Sequence, residues 1–209
     1  YRWATTSGIS IQPGVRLERF GDVECAGCPQ ILRSVTASPW LLTEWQLGKC
    51  SRFIFNVGGF AQTAGFDQIV GAAAGGIGPE RDQTVDAGIV RDVGERWRVR
   101  MNGYYRRDDR ALRRESSEAR VNPNPPYQLI AAASPTWANA LTGDARGAEL
   151  TVERRVVNGV SGWISYAYGD ARMHDTHTGE TYAADYDQRH MVNAYATYRS
   201  SSQLGLSAR

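Results

Sequence analysis

The sequence has no run of apolar residues approaching the roughly 18 that a membrane-crossing helix requires, so a route through a bilayer would have to use strands. Its first residues, YRWATTSGIS, lack the apolar core of a signal peptide, which fits a removed leader or an internal piece of a longer chain. An excess of one charge is also missing. The 24 basic and 22 acidic side chains leave a formal net charge of +2, and no basic stripe marks a nucleic-acid surface. Cysteine is scarce, at three residues. Cys25 and Cys28 form a CAGC motif with no second pair and no nearby histidine, a poor match to a structural zinc site. A local loop disulfide and a pair of free thiols both stay open for them; Cys50 lies in a separate short turn. The glycine-rich GAAAGGIG at 71–78 lacks the Lys-Ser/Thr of a phosphate loop and reads instead as a mobile loop able to fold over a ligand. No nucleophile stands with a base in a catalytic arrangement, so an enzyme is not expected and no cofactor is implied.

Glycine, tyrosine and tryptophan are plentiful, at 22, 10 and 6 residues, yet the mean hydropathy is only −0.44. That combination suits strands that are apolar at alternate positions and joined by hydrophilic loops. The clearest example is 147–157, with Ala148, Leu150, Val152 and Val156 on one face and Glu149, Thr151, Glu153 and Arg155 on the other. Asn158-Gly159 supplies the positive φ values of a two-residue hairpin. A second alternating run sets Val160, Ile164, Tyr166 and Tyr168 against Ser161, Ser165 and Gly169. A third sets Val192, Ala194, Ala196 and Tyr198 against Arg189, Asn193 and Thr197.

Similar runs occupy 9–19, 39–47, 52–62, 82–93 and 96–107, and another begins at 204–209. Pro13 inside the first suits a strand end or an unpaired site. These make roughly nine strands of the length that crosses a bilayer at a tilt. Short turns at 48–51, 94–95, 158–159 and 200–203 alternate with long loops at 20–37, 63–80, 108–144 and 170–185. Short turns at one end and long polar loops at the other define the expected class: all-β, part of a transmembrane antiparallel β-barrel, with the long loops extracellular. An odd strand number and a strand cut at the terminus point to a fragment, since an open edge is not viable in lipid.

Several segments, in order, resemble the barrel of a TonB-dependent outer-membrane receptor: IQPGVRLERF, VGGFAQ, GPERDQTVDAGI, GDARGAELTVERR, GWISYAYGDAR, HDTHTGETYAADYDQRH and MVNAYATYR. DYDQRH entering a strand is the most specific of them. The resemblance covers nearly the whole chain, residues 1–209, and implies part of a barrel of about 22 strands closed by a plug domain. The plug, the TonB box, the first strands and a terminal strand ending in an aromatic residue have no counterpart here. By resemblance, the full receptor sits in the outer membrane of a Gram-negative bacterium and takes up a ferric siderophore, with the TonB complex pulling on the plug. The expected surroundings are outer-membrane lipid and lipopolysaccharide. A passive diffusion porin, an outer-membrane enzyme barrel and a soluble β-sandwich are the competing readings.

Arg98, Arg100 and Arg106 share a strand face with Asn102 and Tyr104, opposite Trp97, Val99 and Met101. If the apolar face meets lipid, the arginines must line the lumen. Their expected role is pairing with plug carboxylates or with lumen acids such as Glu149 and Glu153, ahead of steering an anionic chelate. His174 and His177, with Asp175 between them, form a weak candidate metal-capturing loop. Asp185, Asp187, Arg189 and His190 are expected to pair structurally where a loop meets a strand. RALRRESSEAR at 110–120 could touch lipopolysaccharide phosphates, although such a run is more often a hydrated loop face. Trp97 and Tyr198 fit interfacial belts. Ligand contacts are expected in the loops at 63–80, 108–144 and 170–185.

Overall fold

The computed structural model describes residues 2–20, 34–70, 77–114, 120–121, 129–130, 136–157, 159–199 and 205–208. The strands are β1 (Trp3–Ala4), β2 (Ile9–Phe20), β3 (Ser34–Gln46), β4 (Ser51–Gln62), β5 (Glu80–Val93), β6 (Trp97–Arg114), β7 (Arg120–Val121), β8 (Leu129–Ile130), β9 (Trp137–Val157), β10 (Val160–Asp175), β11 (Thr181–Ala183), β12 (His190–Arg199) and β13 (Gly205–Ala208), with one short helix, α1 (Phe66–Val70). An 11-stranded antiparallel sheet runs β1-β2-β3-β4-β5-β6-β9-β10-β12-β13, with β11 added beside β10. β7 and β8 pair separately. Each long strand bonds its neighbour in sequence, the up-and-down order expected of a barrel wall.

Register explains the two faces. Ile9, Trp45, Phe53, Ile89, Met101, Leu150, Tyr166 and Val192 lie opposite one another in series from β2 to β12. This row is apolar throughout. On the facing side, Gln12, Leu42, Asn56, Asp86, Tyr104 and Gly147 form a largely polar row, in which Asn56 donates to Asp86 at 2.8 Å. The apolar face is open: Leu17 is 70% and Val192 65% exposed, whereas the buried apolar residues among those described are Ile77, Val90 and a few alanines. Among the described residues no second layer covers these side chains, which speaks against a β-sandwich and fits a lipid-facing wall.

The apolar band does not follow one row. On β2 the outward residues stay apolar through Pro13, Val15 and Leu17, whereas on β6 they turn charged above Tyr105, at Arg107. On β10 the change comes at Asp170, level with Pro13 through the chain of paired residues, and on β12 it comes at His190, level with Ile11. Strand tilt accounts for the drift. In a barrel whose strands lean by about 35–45°, a row perpendicular to the strands climbs through the membrane, so a band at constant depth must slip down successive strands. Trp97 and Tyr198 sit on the outward face near the short turns, and Arg154 stacks over the Trp97 ring at 5.9 Å.

Pro13 and Pro39 both lie inside strands. Pro13 lies well inside β2, opposite Leu41. The Gln46 amide donates to the Gly8 carbonyl, so even-numbered residues of β2 bond β3 and the odd ones face β1. Pro13 therefore turns its nitrogen away from β3, and no bond of the β2–β3 ladder is lost. Pro39 was expected to open a strand, but β3 begins at Ser34. By the same alternation its nitrogen faces β4, and the β3–β4 pairs stop at Trp40 opposite Gly58. Beyond that point the two strands continue with other neighbours. A Cβ on Gly14 would overlap the Trp40 ring, so glycine is what lets that indole lie across β2.

Loop lengths also need correction. The segment 108–144 is not one loop: β6 runs to Arg114 and β9 starts at Trp137, paired around a bulge near Ala111 where Arg110 takes a φ of 59°. β10 likewise reaches Asp175, inside the segment 170–185 read as a loop, and α1 lies within 63–80. Partner strands continue these segments although their own alternation has lapsed.

Leu150→Arg, on the lipid face, should lower stability by about 2–4 kcal/mol. Ala167→Arg, facing the lumen opposite Glu149, should cost far less. Urea unfolding in phospholipid bilayers would measure both.

Candidate ligand-binding site

The sheet places two groups of charge on its inner face, and a third gathers at its outer edge. Nearest the short turns, Asp92 accepts from Arg98 Nε at 2.9 Å and Arg155 Nη2 at 2.7 Å. Glu153 stands opposite Arg98 in the register. Arg98 thus finds a carboxylate within its own wall, as expected in kind, although the closest one is Asp92. Arg100 lies opposite Val90 and Thr151. Arg106 is separate from both, much higher on the wall.

There Arg106 donates to Asp108 at 2.6 Å and reaches Asp82 at 3.2 Å, while Arg16 meets Glu18 on β2 at 2.5 Å. These residues, with Glu80, Phe60 and Tyr186, line a cavity of about 560 Å³ at the long-loop end. Glu80 is held by the Leu112 amide at 2.6 Å. A second hollow of about 1190 Å³ adjoins it where β3 and β4 part company, lined by Thr36, Pro39, Trp40, Gly58 and Gly59, and it shares Phe60 and Asp82 with the first. The larger hollow is also lined by outward residues such as Leu41, Val57, Val85 and Tyr105, so it reaches the outer face where the ladder is interrupted.

The third group lies beyond the membrane. The DYDQRH motif closes the loop onto β10. Asp187 accepts the Ala171 amide at 2.9 Å, Arg189 donates to Asp187 at 2.8 Å, and Arg189 also reaches Asp170 at 2.9 Å. Arg146 and Arg172 complete the ring of guanidinium groups around Asp170. The motif's chemistry is used in holding the loop, as expected. Tyr186 alone of these projects to the lumen cavity.

Asp175 is only 1% exposed and forms an ion pair with Arg113. One of its oxygens accepts the His177 and Thr178 amides at 2.9 and 3.1 Å. Burial pushes this carboxyl up, but the two amides and the Arg113 charge outweigh it and hold the group below the usual carboxylate range. Asp175, between His174 and His177, is thus engaged by Arg113 and by the loop's own amides. His174 Nδ1 instead lies 3.0 Å from Thr181 Oγ1, and no cluster of metal-ligating side chains occurs among the described residues. Cys25 and Cys28 lie outside the described residues, and Cys50 is an exposed free thiol.

Sequence reading missed Glu18, Thr36, Ser38, Asp82 and Asp108 as companions. Their alternation was visible in part, but only the β2–β3 and β5–β6 registers bring them together.

Asp175→Asn should loosen the ends of β9 and β10, because Arg113 is left buried and unpaired at a cost of about 3–5 kcal/mol. In the native chain, the contribution of Asp175 is complete above the unfolded carboxylate value of about 3.9 and fades as the pH falls below it. Limited proteolysis of the projecting β9–β10 ends between neutral and acid pH would register both effects.

No family model matches the chain, and no curated relative does. Solved structures do. The FrpB iron transporter from Neisseria meningitidis (F3-3 variant) superposes with a TM-score of 0.67 at 17% identity, over 95% of this chain and 29% of that one. The copper transporter OprC gives 0.67 at 13% identity, over 96% of this chain and 32% of that one. The alcaligin outer-membrane receptor FauA from Bordetella pertussis gives 0.62 at 14%, over 99% and 35%. The chain thus spans about a third of the length of the structures it matches. Its fold is that of a segment of the β-barrel of TonB-dependent outer-membrane transporters.

Proposed function

We propose that this chain is wall from a TonB-dependent receptor in the outer membrane of a Gram-negative bacterium, taking up a scarce metal chelate, with a ferric siderophore as its substrate. One observation carries the reading: an apolar outer band that slips down tilted strands backs an inner face whose charges are paired and whose mouth holds a cavity. A wall of this kind, shared in fold with iron, copper and siderophore transporters, supports ligand capture at the long-loop end and no bond chemistry. Plug movement driven by TonB would supply the passage, and both lie outside this chain. The side chains of Arg146 and Arg172, outward-facing and 73% and 61% exposed at the upper edge of the band, fit contacts with lipopolysaccharide phosphates.

Deleting the gene should abolish radioiron–siderophore uptake by iron-starved cells. Collapsing the proton-motive force with a protonophore should do the same in the parent strain. Uptake indifferent to the protonophore, together with steady conductance of the purified protein in planar bilayers, would establish a passive pore instead.

A further inference from the structure

Four buried oxygens on the inner wall near the mouth have no hydrogen-bond partner among the described residues: Glu18 Oε2, Thr36 Oγ1, Ser38 Oγ and Asp82 Oδ1. The other such atom among the described residues, Asp175 Oδ2, faces the Arg113 guanidinium. Glu18 and Asp82 line the smaller cavity, Thr36 and Asp82 the larger one, and Ser38 continues the inward row of β3 beside Thr36. Glu18 is opposite Thr36, and Arg16 is opposite Ser38, on paired β2 and β3. Asp82 lies opposite Phe60, which lines both adjoining cavities. Thr36 and Ser38 are each only 3% exposed, so water does not satisfy them as it would on an open face.

Buried acceptors without donors are costly, and they become useful when a ligand brings the donors. The cationic side chains of this patch are already engaged, Arg16 by Glu18 and Arg106 by Asp82 and Asp108. Carboxylates lining the smaller cavity (Glu18, Glu80, Asp82, Asp108) outnumber its guanidinium groups (Arg16, Arg81, Arg106). An anionic chelate would meet this surface unfavourably. A bare metal ion also fits poorly, because no ligating cluster forms among the described residues. The remaining match is an organic cation rich in N–H donors.

We propose that Glu18, Thr36, Ser38 and Asp82 form a subsite for an ammonium or guanidinium group of the transported chelate. The subsite rests on the uptake reading above and narrows its substrate to a chelate carrying positive charge. The two carboxylates accept charge-assisted hydrogen bonds, and the hydroxyls complete the coordination of the cationic head from β3.

Competition binding on the full-length protein in outer-membrane vesicles tests this with two iron probes: a ferric trihydroxamate bearing a free ammonium group, and a triply negative ferric tris-catecholate. The cationic probe should bind at least about tenfold more tightly, the scale of one charge-assisted hydrogen bond. Glu18→Gln with Asp82→Asn, which leaves acceptors for Arg16 and Arg106, should abolish that preference. Thr36→Val with Ser38→Ala should weaken the cationic probe severalfold while thermal unfolding stays in place or moves upward, since a buried unsatisfied hydroxyl has been removed. A purely structural patch would move unfolding and leave the preference intact. Equal or better binding of the catecholate, binding of neither probe, or a preference untouched by these variants overturns the proposal. Protonophore-insensitive uptake of the cationic probe would instead reject the receptor reading while leaving the charge preference standing.

Discussion

A backbone amide or carbonyl in lipid has no water to turn to, and the rest of this structure follows from that constraint. It forces each long strand to bond its sequence neighbour over most of its length, from β2 to β12. It also dictates where proline is tolerated. Pro13 survives inside β2 because its nitrogen points away from β3, whereas Pro39 faces β4 and the β3–β4 ladder stops beside it. The larger cavity opens at that interruption. A single missing N–H thus links local covalent chemistry to the shape of the candidate site.

Once the ladder is set, the pleat assigns every side chain to one of two solvents. Outward positions are apolar where the membrane lies and charged beyond it, and the boundary slips from Leu17 on β2 to Val192 on β12 because tilted strands carry their paired rows through the bilayer. Inward positions accumulate charge, which the wall largely neutralises within itself. Arg98 and Arg155 share Asp92, and Arg106 bridges Asp82 and Asp108. Such pairing makes these arginines poor steering groups for an anion, because their fields are largely cancelled at short range. The acceptors left over near the mouth are therefore more informative about a ligand than the arginines are.

Beyond the membrane, strands continue as projecting arms. β6, β9 and β10 extend there with little alternation to announce them, held by the Arg113–Asp175 pair and by Asp187 and Arg189 of the DYDQRH motif. The sequence segments read as loops at 108–144 and 170–185 are partly strand for this reason. Their backbones find partners in neighbouring arms, and polar side chains on both faces are acceptable in water.

Alternation over 82–107 and 147–168 made the strand order, the lipid face and the inward position of Arg98, Arg100 and Arg106 readable from the chain alone. A period of two sorts residues by solvent, and solvent is what lipid and lumen differ in. Sequence spacing could not say which charges meet. Asp92 with Arg155, Asp82 with Arg106, and Glu18 with Thr36 belong to separate strands or separate turns, and their proximity depends on register, which is set cooperatively by the ladder as a whole. The same holds for Asp175, between His174 and His177, whose partner Arg113 comes from far away in the chain. Composition and periodicity determined that this chain is a wall between lipid and water; only the assembled sheet decided where that wall leaves acceptors unsatisfied, because hydrogen-bond accounting is a property of neighbours in space.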